Sequence, residues 1–323
     1  MEVVSRKRLM LFTGSANPAL AEEVGDLLGV RLGGVERSVF ANGEIYVRPT
    51  ESVRGTDCFV IQSHSDPINF HIMEQLIAID ALKRASARRI TAVVPYFGYS
   101  RQDKKVMPRE AISARLMGDM FMAAGADRIA SVDLHTGQVQ GFIHKPFDHL
   151  TALPVFTDYL RERLRGPTTV VSPDAGGVKR AEKYARQLDA YVAFIHKRRE
   201  VDVHNESEAL AVIGKVEGRH AIIVDDIIDT AGTIVNAVKL LKEKGALSVN
   251  VAATHGILSG SALERIKNSG IEELVISNTI PASAGVESLE NIKVLSIAPL
   301  LAEAIQAIFM ESSVSQIFLG DNQ

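Results

Sequence analysis

Twelve consecutive residues carry more structural information than any other part of the chain: Ile222-Ile223-Val224-Asp225-Asp226-Ile227-Ile228-Asp229-Thr230-Ala231-Gly232-Thr233. The uninterrupted β-branched run 222–224 is typical of a buried strand. Two adjacent carboxylates end that strand, a short polar turn follows, and a helix is predicted to begin at Thr233. At the carboxyl edge of a parallel sheet, this order places side-chain acceptors and backbone donors next to each other.

The chemistry of this stretch suits a phosphorylated sugar. Carboxylates such as Asp225 and Asp226 accept hydrogen bonds from sugar hydroxyls. Glycine and threonine at a helix N-terminus supply N–H and O–H groups to a phosphate. In the alternative interpretation, Asp229 or Thr230 only caps the helix and the acidic pair is solvated. Two Asp residues followed by Asp-Thr-x-Gly-Thr favour the binding site over this alternative.

Short apolar runs alternate with helical patterns along almost the whole chain, which is typical of parallel sheets covered by helices. The predicted strands cover residues 9–13, 59–62, 90–94, 129–132, 170–172, 192–195, 222–224, 249–253, 274–277 and 294–297. The predicted helices cover residues 18–28, 69–87, 111–124, 155–164, 178–188, 233–244, 262–267 and 298–309. We therefore expect an α/β fold with two similar domains, each a mostly parallel sheet flanked by helices.

The length of the chain also indicates two domains, because 323 residues exceed the ~250–300 at which a single core stops growing. We place the boundary between an N-terminal half, residues 1–150, and a C-terminal half, residues 151–323. The C-terminal helix, residues 298–312, is expected to pack back on the N-terminal half.

Charge and cysteine content exclude some classes of protein. The net charge is −3, whereas a protein that binds nucleic acid in a groove usually has a strongly basic surface. The single cysteine, Cys58, lies in an apolar run and cannot form an intramolecular disulfide, which fits a reducing compartment. The basic N-terminus is followed by too few apolar residues for a signal peptide. We expect a cytoplasmic protein that binds neither nucleic acid nor membranes.

Two basic segments interrupt the regular alternation. The first, residues 95–109, is long for a connection between a strand and a helix, and long connections are often functional. The second, residues 196–208, opens with Lys197-Arg198-Arg199. On sequence alone, those three basic residues fit a solvated charge run as well as they fit a phosphate site.

The stretch 222–233 resembles the phosphoribosyl-diphosphate-binding motif of type I phosphoribosyltransferases, and the chain as a whole resembles ribose-phosphate diphosphokinases more closely. The closer resemblance rests on further motifs that occur in the order of that family. They are Phe40-Ala41-Asn42-Gly43-Glu44, Tyr99-Ser100-Arg101-Gln102-Asp103, Val132-Asp133-Leu134-His135, Ser172-Pro173-Asp174-Ala175-Gly176-Gly177 and His196-Lys197-Arg198-Arg199. The resemblance implies that both domains are of the phosphoribosyltransferase type.

The resemblance also implies a reaction. The 1-hydroxyl of ribose 5-phosphate attacks the β-phosphorus of ATP, which gives phosphoribosyl diphosphate and AMP for nucleotide biosynthesis. Asp225 and Asp226 are then expected to hold the ribose hydroxyls, and Lys197 and Arg199 to stabilise the transition state. The 5-phosphate is expected to lie against Asp229, Thr230, Ala231, Gly232 and Thr233.

ATP needs another binding device than the common phosphate loop, because no Gly-x-x-x-x-Gly-Lys-Ser/Thr match occurs in the chain. In the family, adenine lies in a slot at a subunit contact. The matching residues here are Phe40, Asn42, Gly43, Glu44, Arg101 and Gln102. Phe40 can stack on the base and Arg101 can reach phosphate. Alternatively, Phe40 is an ordinary core aromatic, and Asn42-Gly43 is a hairpin turn.

Mg²⁺ is the cofactor that the resemblance implies. Because Mg²⁺ prefers oxygen ligands, the chemistry alone favours Asp133 and Asp174. The family points to His135 and Asp174. In the alternative interpretation, Asp174 is only the N-cap of the helix that follows it.

Regulation and assembly are also implied by the resemblance. Family members that form hexamers from dimers respond to phosphate and ADP through residues matching Ser52, Arg54, Ser313 and Ser315, so we expect a hexamer with inorganic phosphate as activator. Two other functions stay open: a catalytically silent regulatory relative, and a phosphoribosyltransferase or a regulator that senses phosphoribosyl diphosphate. The intact Lys197, Arg199 and 225–233 stretch favour the active enzyme.

Overall fold

The computed structural model describes residues 7–198 and 209–318. The strands are β1 (Leu9–Thr13), β2 (Val35–Val39), β3 (Ile45–Pro49), β4 (Asp57–Ile61), β5 (Arg89–Val94), β6 (Arg128–Val132), β7 (Phe147–Leu150), β8 (Thr168–Ser172), β9 (Tyr191–Arg198), β10 (Ala209–Ile213), β11 (His220–Ile228), β12 (Ser248–Gly256), β13 (Leu274–Ser277) and β14 (Ile292–Leu295). The helices are α1 (Pro18–Leu28), α2 (Ile68–Arg84), α3 (Ser113–Ala124), α4 (Leu153–Arg161), α5 (Val178–Leu188), α6 (Gly232–Glu243), α7 (Ala262–Lys267), α8 (Ala284–Glu287) and α9 (Ala298–Met310). None of the described helices is both long and apolar enough to cross a membrane.

The first of two compact units takes in the chain up to Thr151, Thr279–Pro281 and the portion from Ser296 onward. Its five-stranded sheet is parallel throughout, in the order β1-β4-β5-β6-β7. Buried side chains such as Phe12, Ile79 and Phe121 form its core. Helix α9 belongs to this unit and packs against α1.

The second unit contains Ala152–Asn278 and Ala282–Leu295. Its seven strands lie in the order β10-β9-β8-β11-β12-β13-β14. Only the edge strand β10 is antiparallel to its neighbour. Side chains such as Ile223, Val238 and Val251 are fully buried in its core. The predicted α/β class with two mostly parallel sheets is therefore confirmed.

The strands that the sequence did not reveal lie at the edges or outside the main sheets. β2 and β3 form a separate two-stranded antiparallel sheet, in which most side chains are exposed or half-buried. β7 and β10 are edge strands. An edge strand buries less apolar surface than a central one, so its sequence lacks the continuous apolar run that identifies the central strands.

One buried histidine lies where the long connection after β5 meets the core of the first unit. His64 is fully buried and stacks on Phe121, with 5.7 Å between ring centroids. Its Nδ1 accepts a hydrogen bond from the Gly98 N–H at 3.0 Å. Its Nε2 therefore carries the proton and donates to Gln75 Oε1, also at 3.0 Å. Both ring nitrogens of the neutral imidazole are thus satisfied.

Acid is expected to destabilise the protein through His64. Burial lowers the pKa of His64 to about 4 from its ordinary value of 6.5. At pH 5 the unfolded chain binds a proton at this residue and the folded chain does not. The free energy of unfolding therefore falls as the pH drops from about 6.5 towards about 4. At pH 5, His64 alone lowers it by about 2 kcal/mol relative to neutral pH.

Urea unfolding of the wild type and of a His64→Gln variant at pH 7.5 and pH 5 checks this expectation. The variant is less stable at pH 7.5, but it lacks the titrating ring. Its deficit in unfolding free energy should therefore shrink by about 2 kcal/mol at pH 5. The same pH dependence in both proteins would show that His64 does not carry the effect.

Candidate active site

Asp225 and Asp226 lie inside β11, whereas the sequence predicted that the strand ends before them. β12 continues to pair with β11 as far as Ile228, and this pairing extends the strand. On its other side, β8 pairs with β11 only as far as Ile223. Among the described residues, the β8 side of the two carboxylates therefore has no strand partner, and the sheet opens there.

Arg180, in the first turn of α5, binds both carboxylates at this opening. Its Nη1 lies 2.8 Å from Asp225 Oδ1 and its Nη2 lies 2.9 Å from Asp226 Oδ1. The Asp226 N–H also donates to Asp225 Oδ1, at 2.9 Å. Burial and the neighbouring Asp226 carboxylate raise the pKa of Asp225, and Arg180 opposes that rise. The two carboxylates, one buried and one partly exposed, thus share Arg180 as a bound counter-charge.

The turn after β11 is held by side chains from the segment that follows β12. Ser259 Oγ donates a hydrogen bond to Asp229 Oδ1, and Arg265 Nη1 donates to the Thr230 carbonyl oxygen at 2.9 Å. Ala231 adopts a left-handed backbone conformation, with φ +61°. These contacts fix the path of the chain into α6.

Helix α6 begins at Gly232, directly after this turn. The N–H groups of a first helical turn have no partner within the helix, and the helix dipole favours an anion there. Thr230 and Thr233 are exposed and place hydroxyl groups next to those N–H groups in the chain. The end of β11, the turn and the start of α6 thus combine acceptors for hydroxyls with donors for a phosphate.

Asp174 lies in the connection between β8 and α5 and is exposed. Its Oδ1 accepts the Gly177 N–H at 3.0 Å, and Ser172 Oγ donates to its carbonyl oxygen at 2.6 Å. The N-cap of α5 is Gly177, so the carboxylate of Asp174 braces the turn before the helix and is not itself the N-cap. Asp174 thus follows the strand next to the one that carries Asp225.

In the first unit, Phe40 lies at the tip of the β2–β3 hairpin and is 55% exposed, so it is not a core side chain. The tip is closed by two hydrogen bonds of 2.8 Å, from the Phe40 N–H to the Glu44 carbonyl oxygen and from the Gly43 N–H to the Phe40 carbonyl oxygen. Gly43 has φ +91°, a conformation that favours glycine. Asn42 Oδ1 accepts the Glu44 N–H at 3.2 Å.

Arg101 and Gln102 are exposed residues of the long connection between β5 and α3. Ser113 Oγ donates to Gln102 Oε1 at 2.6 Å, which ties this connection to the start of α3. The next residue, Asp103, is buried and accepts a hydrogen bond from Thr136 Oγ1 at 2.8 Å. Hydrogen bonds near its middle therefore anchor the basic segment 95–109.

His135 lies in the turn after β6 and is exposed. The preceding residue, Leu134, donates its N–H to His149 Nε2 at 2.9 Å, and Asp133 has φ +38°. His135 belongs to the first unit and Asp174 to the second. Among residues 7–198 and 209–318, no group of three or more His, Cys, Asp or Glu side chains is placed to hold a metal ion.

Comparison with known proteins identifies two matching family models along the chain. Residues 9–125 match the model of the N-terminal domain of ribose phosphate pyrophosphokinase, and residues 200–319 match that of the phosphoribosyl synthetase-associated domain. The ribose-phosphate pyrophosphokinases of Streptomyces avermitilis and Corynebacterium efficiens are 53% and 54% identical to this chain over 319 residues, which is 98% of this chain and 98% of each relative. The chain belongs to the ribose-phosphate pyrophosphokinase family.

A solved structure of the family supports the same conclusion. The phosphoribosylpyrophosphate synthetase from Mycobacterium smegmatis superposes with a TM-score of 0.90 at 50% identity, over 95% of this chain and all of that one. The resemblance recognised from the motifs is therefore confirmed, and so are the fold class and the classification as an enzyme of this family.

The structure brings some of the predicted ribose-phosphate pyrophosphokinase site residues together. Those assigned to ribose 5-phosphate lie along the end of one strand, the turn after it and the start of one helix; they are Asp225, Asp226 and residues 229–233. Those assigned to ATP lie on two segments of the first unit, the hairpin tip and the connection after β5. His196, Lys197 and Arg198 belong to β9 and not to a loop. Arg199 and the side chain of Lys197 lie outside the described residues.

Sequence reasoning missed Arg180 as a residue of this site. It follows the 172–177 motif closely and stands in a predicted helix, so its position in the chain was a signal. Lys179, Arg180 and Lys183 are nevertheless alike as basic residues of that helix. Only the packing of α5 against β11 selects Arg180.

Proposed function

We propose that this member of the ribose-phosphate pyrophosphokinase family transfers the diphosphoryl group of ATP to the 1-hydroxyl of ribose 5-phosphate, which yields phosphoribosyl diphosphate and AMP. The observation that carries the proposal is the order in which functional groups follow one another from the end of β11 to the start of α6. A pair of carboxylates is followed within a few residues by the N-terminus of α6. Sugar hydroxyls need acceptors and the 5-phosphate needs donors, and this segment supplies both.

Ribose 5-phosphate is proposed to bind with its hydroxyls at Asp225 and Asp226 and its phosphate at residues 229–233. The backbone there is braced before the substrate arrives, because Ser259 and Arg265 already hold the turn. A braced site needs little reorganisation when the anion binds. Thr230 and Thr233 add hydroxyl donors to the N–H groups of α6.

ATP is proposed to bind through Phe40, Asn42, Gly43 and Glu44 of the hairpin tip, together with Arg101 and Gln102. An aromatic ring that is more than half exposed at a hairpin tip is available to stack on a purine. The carboxylate and amide groups of the tip can read the edge of the base. Arg101 offers a planar cation for phosphate or for stacking.

Mg²⁺ is proposed as the cofactor, with His135 and Asp174 as protein ligands. Asp174 is exposed and presents a hard carboxylate oxygen in a turn held by its own hydrogen bonds, which fits an ion that keeps several waters. When bound, Mg²⁺ would neutralise negative charge on the phosphate oxygens.

The proposed role of the chain in the chemical step is positioning and charge neutralisation. In phosphoryl transfers the protein mostly aligns the attacking oxygen with the leaving group and stabilises charge on the transferred group. Asp225 would orient the sugar so that its 1-hydroxyl is available for attack. Lys197 and Arg199 are proposed to stabilise the charge that develops on the transferred diphosphoryl group.

Phosphate activation is proposed at the surface around Ser52, Arg54, Ser313 and Ser315 of the first unit. All four residues are exposed, and the hydroxyls of Ser313 and Ser315 lie 2.8 Å apart. Close to these two pairs of residues in the chain, β4 and the end of α9 are joined by Arg89: its Nη2 lies 2.5 Å from Asp57 Oδ2 and its Nη1 lies 3.3 Å from Glu311 Oε1.

The proposal extends to a hexamer built from dimers and to a cytoplasmic location. The single cysteine of the chain, Cys58, is buried in the first unit, and a lone cysteine is compatible with a reducing compartment. Size-exclusion chromatography with light scattering would measure the oligomeric state.

The deciding experiment follows the products of ATP. Purified protein with Mg²⁺ should form AMP only when ribose 5-phosphate is present, together with an equal amount of phosphoribosyl diphosphate. ADP as product would indicate an ordinary kinase. Binding of both substrates without any AMP would favour the catalytically silent regulatory relative. Phosphoribosyl diphosphate consumption with a free base, and no AMP from ATP, would favour a phosphoribosyltransferase.

The substitution Phe40→Ala is expected to weaken the binding of ATP and to leave the binding of ribose 5-phosphate almost unchanged. Loss of one aromatic stacking partner costs about 1–3 kcal/mol, so KM for ATP should rise roughly 10–100-fold. KM for ribose 5-phosphate should change less than about threefold. Val39→Ala is the matched control, because Val39 is 54% exposed on the same hairpin. Equal effects on both substrates would mean that Phe40 has a structural role.

Substituting Lys197→Ala is expected to lower kcat by roughly 10²–10³, because it removes one donor to charge that develops in the transition state. KM for both substrates should change much less than kcat. Lys239→Ala, at an exposed position of α6, is the control for loss of one positive charge. Near-wild-type turnover of the Lys197 variant would rule out the assigned role.

A further inference from the structure

One guanidinium joins the side chains of two consecutive strand residues at the edge of the second sheet. Arg180 reaches Asp225 Oδ1 through Nη1 and Asp226 Oδ1 through Nη2, at 2.8 and 2.9 Å. Consecutive side chains of a regular strand point to opposite faces of the sheet. A single cation can reach both only where the sheet is open on one side, and β8 stops pairing with β11 just before these residues.

The position of Arg180 is fixed by the helix that carries it. Arg180 lies in the first turn of α5, and the next residue, Ala181, is fully buried. Tyr184 and Leu188 continue the buried face of the helix one and two turns later. The backbone of Arg180 is therefore held beside the sheet opening by the packing of α5, and the guanidinium does not have to be ordered by the substrate.

The two carboxylates differ in exposure. The side chain of Asp226 is 4% exposed, whereas that of Asp225 is 22% exposed. Asp225 Oδ1 accepts two hydrogen bonds, from Arg180 and from the Asp226 N–H, and these fix the orientation of the whole carboxylate. Asp225 is thus the member of the pair that presents surface to solvent, in a set orientation.

We infer that Arg180 is a positioning residue for the sugar-binding carboxylate Asp225, and that Asp226 acts mainly as the buried counter-charge that holds Arg180 in place. This inference rests on the proposed function, because it deepens the assignment of the sugar site. Without the guanidinium, two adjacent carboxylates would repel each other in a partly desolvated setting. They would turn apart or bind a proton, and Asp225 would no longer offer a fixed acceptor.

Loss of the contacts of Arg180 should affect the binding of the sugar phosphate and not that of ATP. Arg180→Gln is expected to weaken binding of ribose 5-phosphate by roughly 10–100-fold, which matches the loss of two charge-assisted hydrogen bonds that orient the acceptor. KM for ribose 5-phosphate should rise by a similar factor, and KM for ATP should change less than about threefold. At saturating ribose 5-phosphate, kcat should fall less than KM rises.

Two further variants distinguish the effect of the two-pronged geometry of the Arg180 guanidinium from the effect of its positive charge. Arg180→Lys keeps the positive charge, but one ammonium group cannot make the planar, two-pronged contact, so it should restore only part of the affinity for ribose 5-phosphate. Arg186→Gln removes an arginine from an exposed position of the same helix and should bind ribose 5-phosphate like the wild type. Complete rescue by lysine would overturn the positioning role in favour of simple charge neutralisation.

A double-mutant cycle tests the role assigned to Asp226. If Asp226 acts through Arg180, then Asp226→Asn and Arg180→Gln should each weaken ribose 5-phosphate binding, and the double variant should be little worse than the more affected single one. Additive losses would show that Asp226 contacts the sugar independently of Arg180, which would overturn that part of the inference.

The closing measurement is calorimetric titration of ribose 5-phosphate into each variant, alongside the AMP assay and thermal unfolding. A wild type that binds ribose 5-phosphate but forms no AMP would refute the proposed function, while the titrations would still test Arg180. If the wild type forms AMP but the Arg180→Gln variant binds ribose 5-phosphate as tightly as the wild type, the positioning role is refuted. A lower melting temperature of Arg180→Gln with unchanged affinity would do the same, because it would mark Arg180 as purely structural.

Discussion

The unequal lengths of two neighbouring strands shape the proposed sugar site. β11 continues to Ile228 on the strength of its pairing with β12, while its pairing with β8 ends at Ile223. The step between the two strands leaves room for Arg180 of α5. It also places Asp225 at a half-open position and leads directly into the turn before α6. In an α/β sheet, the carboxyl edge is where loops from adjacent strands meet, and here the step makes that edge polar.

The positions of the charged residues, and not the net charge, suit the chain to the phosphorylated ligands proposed for it. The net charge of −3 says little, because acids and bases are sorted by position. Three aspartates lie between 225 and 229, whereas bases dominate residues 101–109 and 197–199. Arg180 lies next to two of these acids and binds both of them. Along the sequence, acceptors for hydroxyls and cations that suit phosphates thus fall in different segments, and a phosphorylated sugar and a nucleoside triphosphate require both kinds of group.

The sequence was sufficient for the central strands and their helices, because buried strands need continuous apolar runs and helices need a periodic apolar face. It failed for β2 and β3, whose side chains are mostly exposed or half-buried, and for the edge strands β7 and β10. It also ended β11 too early, because the end of a strand is set by its neighbours and not by its own composition. The predicted site residues were recognisable as motifs, but Arg180 was not, since its role depends on a contact between α5 and β11.

The two proposed substrates call for different surfaces, and the chain provides both. A small sugar phosphate is recognised through hydrogen bonds, and its proposed site has fixed acceptors and donors that are braced by Arg180, Ser259 and Arg265. A purine is recognised through a flat apolar face, and an aromatic ring buried in a core cannot provide one. Phe40 therefore remains exposed at a hairpin tip that belongs to neither main sheet. Exposing that ring costs hydrophobic stabilisation, and the proposed stacking of a purine on the ring would recover that cost.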